Sequence, residues 1–438
     1  MLTKKDPQMK NILILSIALL LSYSDGIASK IPAAQKQPIK IMCGSVGKEF
    51  SICKTGVKAC SAKLGFAAEA LPAVNGSNNR FSLYSQFFAG KSPDISVFQI
   101  DVTWPALLES HLIDLSPYVT KKEQEAYIPL LMKNNTIKGK VLALPWFIDV
   151  GILYYRKDLL EKYNKPVPKT WEELFKTAEY IQTEERKAGN KTIWGYVFQG
   201  KAYEGLTVNV MEWLKSFGTN FFDAKGNITV NSPQAVEALK LFASNIGKTI
   251  PKGILNYAEE DARGAFQSGN AVFMRNWPYA YSLSQAGSSK LKGKVGLASL
   301  PKGGENGNYA AALGGWQLAV SKYAPDKKRA AAMVKCLTGY DEQKKRAIVG
   351  GYTPTMKALH ANKDVAGKTT YLKFFGSKID HFVQRPSRVT GRKYNQISAA
   401  IWNAFHKALG QGSTANPEKI LNNLEKKIKM LLPKKRNK

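Results

Sequence analysis

The sequence predicts an α/β fold spread over more than one domain, and three observations predict it. Apolar runs of about six residues alternate with amphipathic helical stretches, the pattern of strands buried in a parallel sheet under covering helices. The chain has 438 residues, too many for one ordinary core, so two or three domains are expected. With 44% hydrophobic and 22% charged residues it carries enough apolar material to fill those cores without cross-links. No internal period repeats along the chain, which excludes a solenoid.

The elements follow in order. "IKIMCG" reads as a strand, and an amphipathic helix should run from about Glu49 to Leu64. "FAAEAL" is a second strand, "NNRFSLYSQFFAG" a helix, and "ISVFQI" a short strand buried on both faces. The extended run from Val141 to Ile148 is expected to leave this first unit. A second α/β section opens with "GILYYR" as a strand. In "PKTWEELFKTAEYIQTEERK" Thr170 is a good N-cap and Glu173, three residues on, completes a capping box. "TIWGYVF" is a strand. "NSPQAVEALKLFASNIG" is a helix with Ser232 as cap, Pro233 at its first position and Gly247 at its end. "YAEEDARGAFQSGNAVFMRNW" gives a helix, a glycine turn and a strand, and "KVGLASLP" and "GGWQLAV" two strands more. From Asp326 onward the reading is mostly helical, including "RKYNQISAAIWNAFHKALGQG".

The N-terminus reads as a targeting segment. Lys4, Lys5 and Lys10 precede "NILILSIALLLSYS", an apolar run too short to span a bilayer comfortably, and "GIAS" supplies small residues for cleavage after Ala28. Residues 1–28 are thus expected to be a signal peptide, cleaved on export to the periplasm. Export permits disulfides. Cys53 and Cys60, however, lie seven apart in a predicted helix, about 10 Å along its axis and out of bonding reach. Buried free thiols are expected for the four cysteines, with a Cys43–Cys60 bridge as the exception. The formal net charge of +31 invites a nucleic-acid or anionic-surface partner. The basic residues are dispersed except at the two ends, and no zinc-finger, RRM or basic-zipper pattern is present, so no nucleic acid is expected as a partner.

Catalytic and metal signatures are missing. The sequence has no GxxxxGK[ST] loop, GxSxG or HExxH. His111, His360, His381 and His406 stand apart from one another and from any cysteine motif, so neither a metal nor another cofactor is expected. Glu259-Glu260-Asp261 could supply an acid/base pair to a glycosidase. Three acids at a helix start are better explained by the helix dipole and solvent, and no catalytic residue is assigned.

Five segments instead combine aromatics with one charged or amide group. They are "VFQIDVTWP", "LPWFIDVGILYY", "FMRNWPYAY", "GGWQLAV" and "RPSRVTGRKYN". A sugar ring packs its apolar face on indole or phenol rings. Its hydroxyl rim is best held by carboxylates and guanidinium groups. A cleft of Trp and Tyr with a few convergent Asp and Arg is what a neutral carbohydrate requires.

On these residues the chain resembles the family 1 extracellular solute-binding proteins, the receptor components of sugar ABC importers. "LPWFIDVGILYYRKDLLEKYNKPVPKTWEEL", "FQSGNAVFMRNWPYAY", "GGWQLAVSKYAPDKKRAAAMVKCLT" and "GYTPTMKAL" carry the likeness. "CGSVGKEFSIC" and "NNRFSLYSQFFAG" resemble segments of its trehalose/maltose-binding subgroup. The resemblance implies two discontinuous α/β lobes around a ligand cleft, the first from residues 36–145 and 270–322, the second from 146–269 and 323–438. It implies that Glu49, Arg80, Asp101, Phe147, Asp149, Trp277, Gly315, Trp316 and Arg385 face the ligand. Phe147 stands where some relatives have Tyr, which leaves the choice of disaccharide open. The implied activity is capture of an α-linked glucose disaccharide and its delivery to membrane permease subunits, by a monomer that is no enzyme. A carbohydrate-active enzyme, or a receptor of the same fold for another solute, is the alternative.

Overall fold

The computed structural model describes residues 37–369 and 382–432. The expected signal peptide over 1–28, His381 and the lysine-rich end beyond 432 lie outside the described residues. The strands that build the two main sheets are β1 (Ile39–Cys43), β2 (Ala68–Pro72), β3 (Val97–Asp101), β4 (Leu144–Val150), β5 (Ile152–Arg156), β6 (Trp194–Val197), β7 (Ala271–Asn276), β8 (Val295–Ala298), β9 (Ala311–Val320) and β10 (Phe382–Val383). The helices that matter to the site are α1 (Glu49–Leu64), α2 (Ser77–Ala89), α3 (Trp171–Lys187), α4 (Glu204–Ser216), α5 (Pro233–Ser244), α6 (Glu259–Gln267), α7 (Lys327–Leu337), α8 (Tyr340–Gly350) and α9 (Tyr394–Gln411).

The first sheet has the order β10-β9-β3-β1-β2, with β4 on the other flank of β9. β1 pairs in parallel with β2 and β3, while β9 runs antiparallel to β3 and β4. The parallel centre is buried on both faces, as crossover helices require. Ile39, Ile41 and Cys43 point into one core with α1 and α7, and Met42 points into the other with Tyr84, Phe88 and Phe98. The second sheet has the order β8-β5-β7-β6, with β6 and β7 parallel and β5 antiparallel to both its neighbours. Its core gathers Trp171, Phe175, Tyr196, Trp213 and Phe242 from α3, β6, α4 and α5. The Trp213 and Phe242 rings stack with centroids 3.9 Å apart. The capping box at Thr170 and Glu173 and the Ser232 cap form as the sequence requires. The molecule is therefore built from two α/β lobes.

The lobe boundaries differ from those expected. β7 and β8 belong to the second sheet, so the segment 270–322 is divided between the two sheets. α7 and α8, expected in the second lobe, pack on α1 in the first, with Met333, Val334 and Leu337 in the core of Ile39 and Ile41. β4 also stays in the first sheet, paired with β9. The chain crosses to the second sheet at Gly151, where a Cβ would collide with the Glu212 carboxylate.

The cysteines correct a second expectation. None of the four is free: Cys43 bonds Cys53, and Cys60 bonds Cys336, with Cα–Cα distances of 6.5 and 5.9 Å. Neither free thiols nor a Cys43–Cys60 bridge is present. Cys53 and Cys60 sit two turns apart on α1, one facing the end of β1 and the other facing α7. The docking of α7 on α1 is tertiary, and no sequence spacing announces it.

Candidate functional site

A cleft lies where elements of the two lobes meet. All nine residues predicted to face a ligand line it. The sheets explain why. Trp316 lies opposite Asp101 of β3 on one side and Phe147 of β4 on the other. Gly314 lies opposite Asp149, and its missing side chain leaves room, since a Cβ there would sit 3.1 Å from the Trp277 ring. Gly315 has φ +119°, a conformation that favours glycine. A Cβ on it would also press to 2.7 Å from Ile148 Cα.

Each charged side chain is positioned by its own partners. Glu49 opens α1; its carboxylate accepts from Gln99 Nε2 at 2.6 Å and from the Ser45 N–H at 2.8 Å. Arg80 of α2 lies over the Trp316 ring, 4.1 Å from its centroid, and donates to Ser45 Oγ. Asp101 accepts from the Thr103 N–H and hydroxyl on Oδ1 and from Arg385 Nη2 on Oδ2. Arg385 reaches the other way to Glu204 of α4 at 3.0 Å. Glu204 also accepts from Ser398 Oγ at 2.6 Å and from the Tyr394 hydroxyl of α9. Burial drives the Glu204 carboxyl up against the pull of Arg385, Ser398 and Tyr394. Burial alone would lower the Arg385 guanidinium, yet the Asp101, Tyr394 and Glu204 oxygens hold it above its ordinary range. Arg385 thus ties β3 of the first lobe to α4 of the second.

Asp149 differs from these. It is buried on β4, and its Oδ1 has no hydrogen-bond partner among the described residues. Burial, then repulsion from Glu49, pushes its carboxyl up to about 8 against Arg275 and Arg346, with Asp101 adding to the rise. Arg275, which "FMRNWPYAY" brought forward, is not a lining residue. It forms a buried pair with Glu212 at 2.6 Å and lies 3.9 Å over the Trp277 ring, fixing the indole from behind. Arg80 Nη1, Tyr352 OH and Arg385 Nε are likewise buried without partners among the described residues. Unsatisfied buried polar atoms are rare, and these four lie on one cleft.

Several lining residues escaped the sequence reading. Glu204 carries no local motif, and Tyr352, although it lies in "GYTPTMKAL", was not among the residues expected to face the ligand. Glu259 belongs to the acidic triplet assigned to the helix dipole and solvent. Asp261 indeed accepts from the Ala258 N–H and Glu260 takes the Tyr279 hydroxyl, but Glu259 lines the cleft. The lining holds the carboxylates of Glu49, Asp101, Asp149, Glu204 and Glu259 against the guanidiniums of Arg80 and Arg385, an acidic cleft in a chain of net charge +31. Among the described residues no group of three or more His, Cys, Asp or Glu side chains is arranged to hold a metal ion.

Comparison with known proteins agrees with this architecture. A solved structure of maltose-bound MalE3 from T. maritima superposes with a TM-score of 0.84 at 38% identity, over 90% of this chain and all of that one. A Deinococcus radiodurans protein named "Probable ABC transporter-binding protein" is 47% identical over 381 residues, 86% of this chain and 89% of its own length. The maltodextrin-binding protein MdxE of Bacillus subtilis is 29% identical over 245 residues, 54% of each chain. Residues 74–344 match the family model described as bacterial extracellular solute-binding protein. That span carries β3, β4, β7 and β9 and with them most of the cleft lining, so the chain belongs to the bacterial extracellular solute-binding proteins.

Proposed function

We propose that the protein captures a sugar, an α-linked glucose disaccharide such as maltose or trehalose, in this cleft and delivers it to the membrane permease of an ABC importer. The observation that carries the reading is the lining itself. The aromatic rings of Phe147, Trp277, Tyr279, Trp316 and Tyr352 alternate with carboxylates and guanidiniums, and several of its buried polar atoms have no partner among the described residues. Rings meet the apolar faces of pyranoses, and the unpartnered groups meet their hydroxyls. The likeness to a maltose-bound receptor at 38% identity favours an α-glucoside. In this reading the chain is exported, residues 1–28 are removed, and the protein works as a monomer in the periplasm. Glu49, Arg80, Asp101, Phe147, Asp149, Trp277, Gly315, Trp316 and Arg385 form the binding surface. Ligand touching both lobes favours the closed state, which the permease recognises. No bond of the sugar is broken.

Calorimetric titration with trehalose, maltose, sucrose and glucose tests the reading. Saturable binding of an α-linked disaccharide, with weaker binding of glucose, is expected. Release of glucose from maltose or trehalose would instead promote a glycosidase, and no binding across the panel would point to another solute.

A further inference from the structure

We infer that Asp149 holds a proton while the cleft is empty and gives it up to solvent when a ligand hydroxyl donates to its carboxylate, so that ligand capture releases a proton. The inference rests on the proposed reading of the cleft as a hydroxyl-binding site.

The geometry carries it. Asp149 is buried, and its Oδ1 meets no donor among the described residues. The charged groups that face it are accounted for element by element. Glu49 from α1 and Asp101 from β3 bring like charge. Arg275 from β7 is committed to Glu212, and Arg346 from α8 is stacked 3.6 Å over the Trp146 ring. Tyr352, just beyond α8, adds a phenol whose own hydroxyl lacks a partner among the described residues. The remaining charged lining groups are Arg80, Glu204, Glu259 and Arg385, of which Glu204 and Arg385 are paired. A largely buried ionised carboxylate with one oxygen lacking a donor, beside two other carboxylates, is disfavoured. The same balance pushes Asp149 up to about 8, burial first and Glu49 next.

A ligand hydroxyl reverses this balance. A hydrogen bond donated to the charged form favours that form. The carboxyl loses its proton, the anion accepts the hydroxyl, and the proton leaves to solvent. No ligand bond is made or broken. Asp149 then reads its ligand by what it donates: a hydroxyl is taken, and an anionic group placed there is refused.

The test is titration calorimetry with maltose in two buffers of different ionisation enthalpy. At pH 7 a carboxyl titrating about one unit higher is roughly nine-tenths protonated. Release of close to one proton per maltose is expected there, falling toward none above about pH 9. Affinity should rise by up to about tenfold per pH unit below about pH 8 and level off above it. Asp149→Asn should abolish the release and flatten the curve. If that variant binds too weakly to titrate, the wild-type pH series decides alone. No proton exchange, proton uptake, or release that survives in Asp149→Asn overturns the inference.

A second arm needs no ligand. A carboxyl whose folded pKa lies above its unfolded value contributes stability that is full below about pH 4 and is lost as the pH rises through about 8. The Tm of the wild type should therefore fall relative to that of Asp149→Asn across this window. A Tm difference that stays flat overturns the proton held in the empty cleft, whatever the ligand. If no sugar binds while the Tm difference follows pH, the sugar reading fails and the protonated Asp149 stands.

Discussion

At the scale of single residues, the two carboxylates read as equivalent from the sequence turn out to differ. Asp101 has both oxygens occupied, by Thr103 and by Arg385. Asp101→Asn breaks a buried ion pair and leaves Arg385 with Glu204 alone, so it should cost about 3–5 kcal/mol of stability in a urea titration. Asp149 has an oxygen to spare. Asp149→Asn should gain ligand-free stability on the wild type as the pH rises from about 4 to about 8, and should weaken sugar binding by about 1.5–3 kcal/mol, the scale of a hydrogen bond to a charged group. The aromatic residues divide in a similar way. Trp277→Ala and Trp316→Ala should each cost about 1–3 kcal/mol of affinity, measured by the same calorimetry. Trp316→Ala should also lower the urea midpoint, because the ring packs edge-on against Trp104 and supports Arg80. Their places on the cleft were legible because each aromatic stands within two residues of a charge or a glycine in sequence. The pairing of Asp101 with Arg385 was not, since 284 residues separate them.

At the scale of elements, the strands and helices with a clean period were legible and the fully buried helix was not. α1, α3 and α5 each show one apolar face and form where the pattern places them, except that α5 stops at Ser244, short of the expected end at Gly247. α4, from Glu204 to Ser216, was missed. All but Lys215 of its residues are buried, so there is no polar face to set a period, and Glu204 enters the cleft unannounced. The lobe boundaries failed for a related reason. Sequence order predicts an exit at each crossing, but α7 returns to the first lobe because its apolar face fits α1 and β9, and α8 follows it against α1. The Cys60–Cys336 bond fixes that return across 276 residues. A cross-link closing so long a loop restricts the unfolded chain strongly. Replacing both Cys60 and Cys336 with Ala should cost about 2–5 kcal/mol, read as a lower urea midpoint, and reduction of the wild type should move the midpoint the same way.

At the scale of the whole molecule, the question is what holds the two lobes together before a ligand arrives. The Glu204 N–H donates to Asn78 Oδ1 of α2, and Arg385 bridges Asp101 and Glu204. These contacts join the lobes directly and favour closure on their own. A ligand must add to them, and because it binds only the folded chain it also raises Tm, by the equivalent of about 2.7 kcal/mol at one hundred times Kd. Arg385→Gln separates the two contributions. It strands Asp101 and Glu204 as buried carboxylates near one another, and the lobes should relieve that repulsion by opening. Small-angle scattering should then show a larger radius of gyration for ligand-free Arg385→Gln than for the ligand-free wild type. Saturating maltose should compact the variant more than the wild type, at lower affinity, since part of the binding energy now goes into closing the cleft. Equal radii with and without Arg385 would mean that the remaining contacts hold the lobes closed unaided. The Arg385 bridge would then set the charge balance of the lining and leave lobe closure to other groups.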